Sequence, residues 1–63
     1  MPLSKAQHDR IDALWDDLKK KEQDILKESV RLFLKWLKDV AWALWDSVKD
    51  WIRRNWDDFV YGL

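Results

Sequence analysis

Apolar residues recur every three or four positions along almost the whole 63-residue chain. That period collects them on one face of an α-helix. A first stripe runs through Ile11, Leu14, Trp15 and Leu18, with Asp9, Arg10, Asp12, Asp16 and Asp17 outside it. A second holds one phase for about seven turns, through Ile25, Leu26, Val30, Phe33, Leu37, Val40, Leu44, Val48 and Trp51. Pro2 and Gly62 are the only proline and glycine, so neither kind of breaker lies between them.

The pattern predicts an all-α chain: an antiparallel helical hairpin, with a short helix over about 4–21 and a long one over about 24–54, assembling into a helical bundle. Ser4 is a good N-cap, and Gln7 three residues later completes a capping box. The stripe lapses at residues 19–24, KKKEQD, where Glu22 takes an expected apolar position. Lys19, Lys20 and Lys21 suit a helix C-terminus and Asp24 the start of the next helix. Without a turn there, one helix would run roughly 87 Å. Ser47 and Asp50 fit a second capping pattern, so the alternative is a three-helix bundle with a break near Asp46. Arg53 and Arg54 read as a basic last turn, Asn55 as a left-handed terminator, and residues 56–63 as a short turn and apolar tail.

Charge favours the antiparallel hairpin. Lys27, Arg31, Lys38 and Lys49 flank the second stripe on the side corresponding to Asp9, Asp12 and Asp16 beside the first. Glu28, Asp39, Asp46 and Asp50 flank its other side, and Lys5 and Lys19 weaken the match. Exposed pairs contribute only about 0–1 kcal/mol each, so they select orientation more than they stabilise.

In that hairpin the first helix ends level with about residue 41, leaving about 42–60 uncovered. This segment holds Trp42, Trp45, Trp51 and Trp56, four of the six tryptophans. Trp42, Trp45, Ile52 and Trp56 form a second ridge offset from the main stripe, and one packed partner cannot cover both. Leaving several aromatics of about 150–250 Å² in water forfeits several kcal/mol. The ridge is therefore expected to be covered by a folded-back third helix, by another copy, by another protein or by a membrane interface.

Composition narrows the classes. Residues 1–63 make one domain, too short to bury more than about 60% of its unfolded surface. No cysteine and one histidine, His8, exclude disulfides and argue against zinc. Twelve basic and twelve acidic residues cancel, which argues against nucleic acid as a partner. No stretch of membrane-spanning length is free of charge, and the N-terminus lacks a signal-like apolar core, so a cytoplasmic protein is expected. His8 and Asp12, four apart, read as a solvated helix face. Ser29 and Ser47 lie in the stripe with no base near in sequence, so no enzyme and no cofactor or metal is expected.

The function read from sequence is non-enzymatic protein–protein association: self-assembly through the tryptophan-rich second helix. The expected surface is Trp36, Trp42, Trp45, Val48, Trp51, Ile52, Trp56 and Phe59. The alternatives are an adaptor or inhibitor using that surface on a heterologous protein, and an amphipathic segment in a membrane interface. The near absence of loop residues is compatible with a designed chain, although six tryptophans exceed what packing alone suggests.

Overall fold

The computed structural model describes residues 3–63. Pro2, read as the breaker ahead of the first helix, lies outside them. Among the described residues five helices follow one another: α1 (Lys5–Asp16), α2 (Lys20–Lys27), α3 (Val30–Val40), α4 (Trp42–Arg54) and α5 (Trp56–Tyr61). No strand occurs among the described residues. The molecule is an all-α bundle.

The start of α1 follows the sequence closely. Gln7 N–H donates to Ser4 Oγ at 3.1 Å, and Ser4 N–H donates to Gln7 Oε1 at 3.0 Å. Both halves of the capping box therefore satisfy first-turn donors. Ile11 and Trp15, one turn apart, carry its buried face.

The first turn falls at 17–19, a few residues before the expected one near 22. The Trp15 carbonyl accepts both Leu18 N–H at 3.0 Å and Gln23 Nε2–H at 2.8 Å, which closes α1 and ties α2 to it. Lys19 is extended and precedes α2, so the three lysines do not end a helix. Glu22 breaks the apolar stripe because it caps: its Oε1 accepts from Lys19 N–H at 3.3 Å. A carboxylate in the first turn and Lys27 in the last both suit the helix dipole.

The continuous helix over 24–54 is not formed. It breaks at Ser29, which is extended, and again at Ala41, with φ −154° and ψ 72°. The break expected near Asp46 is absent, since Asp46 lies inside α4. Ser47 caps nothing; its Oγ–H donates to the Ala43 carbonyl at 3.2 Å. A 31-residue helix would run about 46 Å, whereas the whole molecule spans 30 × 20 × 18 Å. Its radius of gyration, 10.6 Å, matches the roughly 11 Å of a close-packed chain of this length.

Energetics explain a break without glycine or proline. At Ala41 the N–H still donates to Leu37 at 2.8 Å, and the carbonyl accepts from Trp45 N–H at 2.9 Å. The loss is confined to the uncapped first turn of α4, about three hydrogen bonds of about 0.5–1.5 kcal/mol net each. In return Val48, Ile52 and Phe59 enter the core, gaining about 1.5–3 kcal/mol each. The larger gain decides the backbone. Hence α3 and α4, both parts of the expected long helix, form the most extensive helix–helix contact.

Asn55 ends α4 after the basic turn Arg53–Arg54, as the sequence indicates, but not in the left-handed region: its φ is −119°. Its side-chain Nδ2–H and backbone N–H both donate to the Trp51 carbonyl, at 2.9 and 3.0 Å. The expected tail after it is helical: α5 turns Phe59 inward.

The core is wholly apolar. Phe33, fully buried, is its centre; the rings of Trp15, Trp36, Trp56 and Phe59 lie 5.3–5.6 Å from it. These separations suit tilted and edge-to-face aromatic contacts. Leu34 and Leu37 join from α3, Val48 and Ile52 from α4. The expected acid–base matching between helices does not occur. The ion pairs among the described residues, such as Lys5–Asp9 and Lys20–Asp24 at 3.6 Å, stay within single helices. Neighbours one turn apart meet without ordering distant side chains, and exposed pairs are too weak to orient helices.

Candidate functional site

The eight residues expected to form an association surface separate into three groups. Val48, Ile52 and Phe59 are core residues of this fold and offer no surface. Trp36, Trp45, Trp51 and Trp56 are half-buried and packed against that core. Trp42 alone stands out, 59% exposed at the start of α4. The uncovered segment predicted from the hairpin is thus mostly covered by the chain itself. Its second ridge splits, with Ile52 and Trp56 turned inward and Trp42 left outside.

Trp42 is not isolated. Its ring lies 6.2 Å from that of Trp45. Trp45 carries Lys49 Nζ 4.3 Å and Lys38 Nζ 4.9 Å from its ring centroid, both within cation–π range. Lys49 also reaches Asp46 at 3.0 Å. Two ammonium groups from different helices hold Trp45 across the α3–α4 junction.

From Trp45 an open groove continues along α3. Val30, Leu34 and Trp45 supply apolar walls, and Leu32 lines it while 42% exposed. Arg31, Lys35, Lys38 and Arg53 line it as well, with no carboxylate among the lining residues. Arg53 has a distant partner in Asp50 at 3.9 Å, whereas the ion pairs among the described residues include none of Arg31, Lys35 and Lys38. A chain of zero net charge therefore concentrates cations on one face. Sequence reasoning placed Arg31 and Lys38 beside the stripe but missed Lys35, Arg53 and Leu32 as a set. The spacing of residues 31, 35 and 38 puts three cations on one helix face and was the available signal.

Other chemistry-bearing residues are simply placed. His8 Nδ1 lies 3.1 Å from Asp12 Oδ2, both about half exposed, and the His8 ring meets the edge of Phe59 at 6.3 Å. Ser29 precedes α3 without a side-chain cap. Among the described residues no buried side chain is polar or charged, and no three potential metal ligands converge. Among the described residues no helix is long and apolar enough to cross a membrane.

These features define a small all-α bundle with an aromatic core and a basic, partly apolar groove. Comparison with protein-family models, curated proteins and solved structures finds no match.

Proposed function

We propose that this protein acts without catalysis, by associating with copies of itself through the α3–α4 face around Trp42 and Trp45. The carrying observation is Trp42, a large aromatic left 59% exposed beside Trp45 while the rest of the second ridge is turned inward or covered. Tryptophan in such a setting is a common binding anchor. Leu32 and Val40, 42% and 46% exposed, add apolar area on α3. Zero net charge removes the long-range repulsion that would keep copies apart. An aqueous, cytoplasmic setting suits this reading.

Sedimentation equilibrium of the wild type beside Trp42→Ala tests it. The wild type should show mass above the monomer that rises with concentration, and the variant should be a monomer. Stability of the isolated fold should change by no more than about 0.5 kcal/mol, because the removed ring is largely in water. A wild type that stays monomeric throughout refutes the proposal. Capture of a heterologous protein on the same face, lost in Trp42→Ala, would support the adaptor alternative instead.

A further inference from the structure

The groove lined by Arg31, Lys35, Lys38 and Arg53 is matched in chemistry by another part of the same chain. On α5, Asp57 and Asp58 are exposed, and the ion pairs among the described residues involve neither. Tyr61, one turn beyond Asp57 on the same helix face, is 94% exposed, the most exposed large apolar side chain described. α5 thus presents two carboxylates, beside Arg53 and Arg54 of the same chain, and an exposed aromatic ring. The α3–α4 groove presents cations around an apolar floor.

We infer that the groove receives α5 of a second copy, with Asp57 and Asp58 meeting the groove's cations and Tyr61 meeting its apolar wall. This rests on self-association and specifies its contact. Size agrees: α3 from residue 30 to 38 offers about 12 Å of groove length, and the six residues of α5 span about 9 Å. A groove-to-groove dimer is disfavoured because it sets cations against cations. A concave site suits a short helix better than a flat bilayer. The contact joins two different patches, so it forms rings or open chains unless one side is blocked.

Complementary charge reversal in the full chain tests this. Arg31→Glu with Lys35→Glu damages the groove, and Asp57→Lys with Asp58→Lys damages α5. Circular dichroism checks folding, and Tyr61→Ser provides a second α5 variant at a side chain the fold does not hold. Each should weaken self-association by about tenfold or more, and high salt should weaken the wild type. An equimolar mixture of the two reversed variants should restore association, with the two variants incorporated in 1:1 ratio. Reversed variants that assemble like the wild type, while Trp42→Ala does not, overturn this contact and leave self-association standing. So does a mixture that stays monomeric beside an associating wild type. Groove reversal that spares self-association but abolishes binding to phosphatidylserine vesicles also overturns it, making the groove a lipid site. A monomeric wild type overturns self-association itself.

Discussion

Phe33 and Trp42 show how differently large aromatic side chains serve this molecule. Phe33 has no exposed surface and meets four aromatic rings within 5.6 Å. Phe33→Ala should cost about 3–5 kcal/mol, from lost transfer energy and the cavity left behind. A domain of this length has only about 3–9 kcal/mol in total. The variant should therefore be largely unfolded in a urea titration that leaves Trp42→Ala folded. The periodicity places Phe33 in the main stripe and Trp42 on the offset ridge, but it does not say whether that ridge is covered. Both positions are aromatic in an amphipathic run, and the difference arises only when α4 turns back on α3.

Among the elements, boundaries set by local chemistry were legible and those set by packing were not. The Ser4–Gln7 capping box and the basic last turn of α4 are read from a few adjacent residues, and both are present. Glu22 was legible as an interruption, though its reason, an acceptor for the Lys19 N–H, was not. The breaks at Ser29 and Ala41 carry no breaker residue and were missed, because distant burial drives them. Asn55 gives a test at this level. Glycine at a helix end usually helps by adopting a left-handed conformation. Here φ is −119°, and the side chain donates to the Trp51 carbonyl. Asn55→Gly should therefore destabilise by about 1–2 kcal/mol, from the lost hydrogen bond and the freer unfolded chain. Thermal melts followed at 222 nm would show it, and a raised midpoint would contradict this account of the α4–α5 junction.

For the whole molecule, the apolar core and the one-sided cations pull in different directions. The core closes the chain on itself and relieves most of the need for a partner. The groove and Trp42 leave one face unfinished. If that face binds a second copy, stability depends on concentration by mass action, gaining about 2.7 kcal/mol at a hundredfold excess over Kd. For a domain of this size that corresponds to a rise in Tm of about 10 °C or more. Calorimetry across about a hundredfold range of concentration should show this for the wild type and a constant Tm for Trp42→Ala. Equal behaviour of the two would separate Trp42 from assembly.

The sequence by itself determined the helical class, the apolar faces of Ile11–Trp15 and Phe33–Leu37, the first cap and the abundance of tryptophan. Each depends on period or on chemistry a turn away. Only the tertiary structure decided that one expected long helix becomes three, that Val48, Ile52 and Phe59 belong to the core, and that Trp42 does not. It also decided that Arg31, Lys35, Lys38 and Arg53 share a groove. The physical reason is that burial free energy depends on which faces meet. At Ala41 that energy exceeded the few backbone hydrogen bonds that would have kept the helix straight.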